Sequence, residues 1–166
     1  MKKFIICAMC AFCGIITAQA QKFGHVNTQE IIQAMPEFTK ANGELEALAK
    51  QYQADLELMQ KEIQGKAEAF EKEEASLPDN IKQRRNQELQ ELYQKYQQNL
   101  QDNQQALAKA EQEKMGEVQA KMLKAVEAVG QEGGFVFIMQ NGSLPYISTT
   151  LSTDVTAQVK AKLGLK

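Results

Sequence analysis

From Phe38 to Phe70 apolar side chains recur in steps of three and four: Phe38, Ala41, Leu45, Leu48, Tyr52, Leu56, Met59, Ile63, Ala67 and Phe70. That spacing lays them along one face of a helix. A second series repeats it through Leu89, Leu92, Tyr96, Leu100, Leu107, Met115, Val118, Met122, Val126 and Val129. Pro78 stands between the two series and is the one proline from Glu37 to Val129. The pattern predicts two helices of roughly 40 and 50 residues, each about 60–75 Å long, folded back at Pro78. The residues between the apolar positions are mostly Glu, Gln, Lys and Ala, and only six of the 93 in this stretch are β-branched. Straight-chain helix formers therefore dominate. Leu, Ile, Val, Met and Phe make only 20 of those 93, and Tyr93 to Gln105 is crowded with glutamine. The two helices can zip along a thin stripe, without a thick core.

The pattern changes at both ends of this stretch. Phe23 to Asn27 reads as a short strand, and Asn27 with Glu30 three residues on makes a capping box for a short helix carrying Ile31, Ile32 and Met35. That helix must stop at Met35, which precedes proline, and Pro36 suits the first position of the next helix. Beyond Val129, Gly133-Gly134 ends the helical pattern and Phe135 to Met139 is an unbroken apolar strand. Asn141-Gly142 is a hairpin-turn signal, with Leu144 to Ser148 expected to return as the second strand. Asp154 is placed to cap a last helix with Val155, Val159 and Leu163 on one face, closed by Gly164.

The expected fold class is α+β, mostly α. A long antiparallel helical hairpin (37–129, tip near Pro78) is inserted into a small β-rich body built from 21–36 and 130–166. About 50 residues rarely make a stable core alone. Phe135, Phe137, Ile138, Met139 and Tyr146 are more apolar surface than such a body can hide, which points to self-association around them.

Residues 1–20 read as a signal peptide rather than as part of the fold. Lys2 and Lys3 open it, Phe4 to Ile16 is apolar, and Ala18-Gln19-Ala20 supplies small residues for cleavage. The run is too short to span a bilayer, so no stable membrane insertion is expected. Cys7, Cys10 and Cys13 all lie in this segment, so the chain from Gln21 onward has no cysteine. Thiol catalysis, disulfides and thiolate metal sites fall away with them. Losing Lys2 and Lys3 takes the net charge from −2 to −4. A mildly acidic chain gives no reason to expect nucleic acid as a partner.

Little chemistry is on offer. His25 is the sole histidine and sits in a strand, there is no tryptophan, and no phosphate loop or nucleophile motif is present. The carboxylates alternate with Lys and Gln at helical spacing, as on solvated faces. No catalytic, cofactor-binding or metal site is expected, and the chain does not read as an enzyme. Lys82, Arg84 and Arg85 form a small basic cluster past the turn, a weak candidate contact for anionic groups. Gly43, Gly65 and Gly116 interrupt the helices, either as tolerated residues or as points of flexure.

The order of these elements resembles the Skp family, the OmpH-like periplasmic chaperones. Phe23-Gly24-His25-Val26-Asn27-Thr28-Gln29-Glu30-Ile31-Ile32-Gln33-Ala34-Met35-Pro36 carries the likeness at the start. Phe135 to Gln140 and Leu151-Ser152-Thr153-Asp154-Val155-Thr156-Ala157-Gln158-Val159 carry it at the end. The resemblance implies a periplasmic homotrimer of a Gram-negative bacterium, shaped like a jellyfish. Phe135, Phe137, Ile138, Met139 and Tyr146 would lie in its core, and three hairpins would hang as tentacles around a cavity. It implies an ATP-independent, cofactor-free holdase for unfolded outer-membrane β-barrel proteins. Tyr52, Met59, Phe70, Tyr93 and Tyr96 would be the client contacts, since tyrosine and methionine adapt to varied partners. Well-known members of the family are basic, whereas three copies of this chain from Gln21 onward carry about −12. The alternative is a structural or adaptor coiled coil of the cell envelope.

Overall fold

The computed structural model describes residues 21–143 and 145–165; the expected signal peptide at 1–20 lies outside them. Strand β1 (Lys22–Val26) leads into helix α1 (Thr28–Ala34) and then α2 (Pro36–Glu73). A short 3₁₀ turn (Glu74–Ser76) precedes α3 (Asp79–Gly133), followed by β2 (Phe135–Gln140), β3 (Ser152–Asp154) and α4 (Thr156–Lys162).

The local signals act as the sequence implies. Asn27 accepts the Glu30 N–H at 3.1 Å, and its own side-chain amide donates to Glu30 Oε2 at 3.2 Å. The box is not fully reciprocal, because the Asn27 N–H goes instead to the Thr156 hydroxyl at 2.9 Å. Met35 is extended (φ −75°, ψ 127°) and Pro36 begins α2. Leu77 and Pro78 are also extended, which reverses the chain before Asp79 starts α3. At 38 and 55 residues the two helices are about 57 and 82 Å long. Gly134 ends α3 in the left-handed region (φ +65°), where a side chain would be strained.

The helices run antiparallel, in one register from the body to Met59 and four residues out of it at Lys66. Glu37 meets Lys121, Glu44 meets Lys114, Met59 meets Asn99 and Lys66 meets Glu88. All twenty apolar positions of the two series are buried or half-buried, with Ala41 and Ile63 almost wholly so. The seam is thin because the other side chains that lose solvent along the arm are mostly alanines and half-buried polar or charged residues such as Lys66, Glu88, Asn99 and Lys114.

The sheet departs from the expected hairpin. Its order is β2-β1-β3, and β1 pairs in parallel with both neighbours. Residues 145–148 form no strand, and Leu144 lies outside the described residues. The turn explains the departure. Ser143 N–H reaches Gln140 C=O at 3.1 Å with Gly142 at φ +88°, but Asn141 keeps a negative φ. A turn of that kind splays the chain, whereas the tight hairpin turns of types I′ and II′ both need positive φ at the first central residue, here Asn141. The second partner of β1 is therefore Ser152–Asp154, and Asp154 ends a strand before serving the helix. Its carboxylate still accepts the Thr156 N–H at 2.9 Å, so it acts as a cap from one position earlier than the assigned cap residue Val155.

The body is held by one cluster in which Val26, Ile31, Met35, Val155 and Val159 meet Val118, Met122, Ala125 and Val129. Four of its nine members come from α3, so the returning helix of the arm supplies much of the wall of the body. Lys160 to Glu30 (2.6 Å) and Lys162 to Glu132 tie α4 across the outside. A β-bulge between Lys22 and Phe23 skips one residue of β2. Phe135 and Ile138 consequently both turn inward, to where a Cβ on Gly24 would sit 3.2 and 3.0 Å from them. Phe137 turns outward and stacks on Phe23, ring centroids 4.8 Å apart.

Added Cβ atoms on Gly43, Gly65 and Gly116 would meet nothing within 4 Å. These glycines are not required by packing, so G43A/G65A/G116A is expected to stabilise the arm by about 1 kcal/mol per site, read as a higher thermal midpoint of helix ellipticity. A lower midpoint would show that the glycines serve the native geometry.

Candidate functional site

The described surface offers two places where something else can bind: the flanks of the arm and the outer face of the sheet. The flanks are unlike. On one, three ion pairs clip α2 to α3. Glu37–Lys121 and Glu44–Lys114 lie one heptad apart near the body, and Lys66–Glu88 lies toward the tip. Hydrogen bonds from the partner lysines hold the Glu37, Glu44 and Glu88 carboxyls below their ordinary range. The same bonds, made to Glu88 and Glu44, raise Lys66 and Lys114.

On the other flank no inter-helix ion pair is found among the described residues. A groove instead runs along the seam in two stretches of about 370 and 410 Å³. Leu56, Leu100 and Leu107 line the first, Ile63 and Ala67 the second, and Gln60 and Tyr96 belong to both. None of the clipping residues lines it.

The candidate client contacts are only partly gathered there. Tyr52 and Tyr96 line the stretch nearer the body, and Tyr93 and Tyr96 the stretch nearer the tip. Met59 instead receives the Asn99 side-chain amide on its sulfur at 3.0 Å. Phe70 is half-buried and does not line the groove. Lys82 and Arg85 are half-buried and Arg84 is exposed. Arg84 and Arg85 both add to the positive field that lowers Glu88, after Lys66, so the cluster is partly spent within the chain.

On the outer sheet face Phe137 is 48% exposed and Val136 58%, and Tyr146 (78%) and Leu151 (77%) stand beside the body. Met139 is half-buried, opposite His25 in the β1–β2 register. Phe135 and Ile138 pack on the chain's own core. The Nδ1 atom of His25 is 2.8 Å from the Ser152 hydroxyl, which joins β1 to β3. Asp154, across from His25, is held below its ordinary value chiefly by the Thr156 hydroxyl. Among the described residues no cluster of three or more His, Cys, Asp or Glu has the geometry to hold a metal, and no helix is long and apolar enough to cross a membrane.

Sequence reasoning missed the groove as a continuous feature. Its rim residues Gln53, Gln60, Gln64, Gln97 and Gln104 read as solvated polar positions until the register of the two helices places them side by side. The bulge that separates Phe135 from Phe137 has no signal in an unbroken apolar run.

A long two-helix arm, inserted in a small parallel-sheet body whose outer face is left apolar, defines a class of fold. The chain belongs to the outer membrane protein (OmpH-like) family, whose family model matches residues 22–163. The fold is similar to that of a Caulobacter crescentus protein whose crystal structure was described as a candidate outer membrane chaperone (OmpH-like). That likeness has a TM-score of 0.76 at 15% identity, covering 86% of this chain and 83% of the other. A search of curated proteins finds no match.

The clips set a pH dependence. Carboxyls lowered in the fold stabilise it fully above the ordinary value of 4.5 and lose that contribution as pH falls through the lowered value. Raised lysines stabilise it below 10.5 and lose their share as pH rises through the raised value. The arm's melting temperature is expected to be level between these limits and to fall outside them. In E37Q/E44Q the drop between about pH 5 and about pH 3 should shrink. An unchanged acid limb would mean that the clips contribute nothing in solution.

Proposed function

We propose that this protein is an ATP-independent periplasmic holdase of a Gram-negative bacterium, which keeps unfolded outer-membrane β-barrel proteins from aggregating. Three copies join through the outer sheet faces around Phe137 and Met139, with Tyr146 beside them, and the arms hang as tentacles around a jellyfish-like cavity. Phe135 and Ile138 support that interface from behind, through the chain's own core. The observation that carries the reading is the arm. It offers about 30 Å of open, amide-rimmed groove on a thin seam.

A chain that must be kept apart from its neighbours needs many weak contacts that let go, rather than one tight site. A seam of single side chains with open glycines yields more easily than a fully packed coiled coil. The family match and the Caulobacter fold agree with this reading. The expected leader segment supports an envelope location, where unfolded barrel proteins pass.

The protein from Gln21 onward is expected to keep a urea-unfolded porin soluble after dilution, without nucleotide, at close to one trimer per porin. Light scattering that rises as fast as in buffer alone would overturn the proposal. Phe137→Asp places a charge in the apolar face that self-association must cover. It is expected to leave helical ellipticity intact, to reduce the mass in light scattering from trimer to monomer, and to abolish porin protection. A trimer mass for the variant would remove this face from the interface.

A further inference from the structure

The groove on the unclipped flank has a charge of one sign. Its two stretches together follow α2 from Ala49 to Glu71, about 33 Å at a rise of ~1.5 Å per residue, enough for about ten residues of extended chain. The floor is apolar and the rim is largely glutamine. The only charged side chains lining it are Glu57, Glu68 and Glu71; no lysine or arginine is among them. Glu57 and Glu68 each accept one neighbouring amide, from Gln53 at 3.1 Å and Gln64 at 2.9 Å. No cation lies within ion-pair distance of the three among the described residues, although every inter-helix clip on the other flank is paired.

We propose that this groove takes an extended segment in which apolar residues alternate with lysine or arginine, and that it rejects the acidic equivalent. The inference rests on the holdase reading and names the kind of segment that it captures at this site. An extended chain presents successive side chains to opposite sides, so one set meets Leu56, Ile63, Leu100 and Leu107 while the other reaches the rim. Its backbone N–H and C=O groups are unpaired and can bond the rim amides, whereas a docked helix has already satisfied its own. Cations answer the three carboxylates, none of which is ion-paired among the described residues, and acidic segments meet like charge from a lining that holds no cation.

The test uses two fluorescein-labelled synthetic peptides of about twelve residues, one alternating valine with lysine and one alternating valine with glutamate. Anisotropy titration of the chain from Gln21 onward at about 0.15 M salt is expected to show the lysine peptide binding at least about tenfold more tightly. E57Q/E68Q/E71Q should bring the two peptides to within about threefold, while D55N/E91Q/E111Q, with the same change in net charge outside the groove, should keep the preference. Equal affinities for the native chain would overturn the proposal. So would an equal loss in the control variant, which would assign the preference to overall charge. A helical circular dichroism spectrum for the bound lysine peptide would also overturn it, in favour of a docked partner helix. Porin aggregation measured on the same preparations separates this inference from the one beneath it. Protection without peptide discrimination sinks the groove assignment alone, and absence of protection sinks the holdase reading.

Discussion

Strand β1 lies between β2 and β3 and pairs in parallel with both, so the first strand of the body is completed only by residues from the far end of the chain. A parallel neighbour cannot be reached by a tight turn and needs a crossover. Here the crossover is the whole arm. Closing a flexible loop of that length would cost about 4 kcal/mol beyond a constant. Zipping α2 against α3 removes that cost by bringing Pro36 and Gly133 to the same end of a rod. Body and arm therefore depend on one another. The seam presents the strands, and the cluster around Val118, Met122 and Val129 anchors the base of the seam.

The arm was legible in the sequence almost residue by residue because a helix pair is governed by local periodicity. The stops at Met35, Pro78 and Gly134 follow from backbone sterics that a single residue imposes. The sheet was less legible, for a physical reason. Asn141-Gly142 has the residues for a hairpin, but glycine alone with positive φ makes a different turn, and the choice is settled by which partner completes β1. A contact between positions 25 and 154 has no trace in the residues near either. The same holds for Phe135 and Phe137, which look equivalent in a run of apolar residues and are separated by one skipped position. Of the candidate site, the tyrosines were visible and the groove that gathers Tyr52, Tyr93 and Tyr96 was not. Its rim draws on two helices whose register only the fold supplies.

The chain from Gln21 onward is net acidic, and the structure places part of that charge beside the groove. A basic arm draws acidic partners from a distance. This arm has used several of its cations as internal clips on one flank and left uncompensated carboxylates on the other. The Glu57, Glu68 and Glu71 carboxylates stand beside the apolar groove, so a partner drawn to them meets its apolar floor as well. Steering and binding would then coincide on one surface. The clips also restrict where the arm can yield. They hold the seam near the body and again near the tip, and between Glu44 and Lys66 no ion pair crosses it among the described residues. The span without crossing ion pairs contains the groove along most of its length. An arm held at both ends and loose between them can widen where a segment lies without parting from its body, and the strand pairing that depends on the seam is then undisturbed.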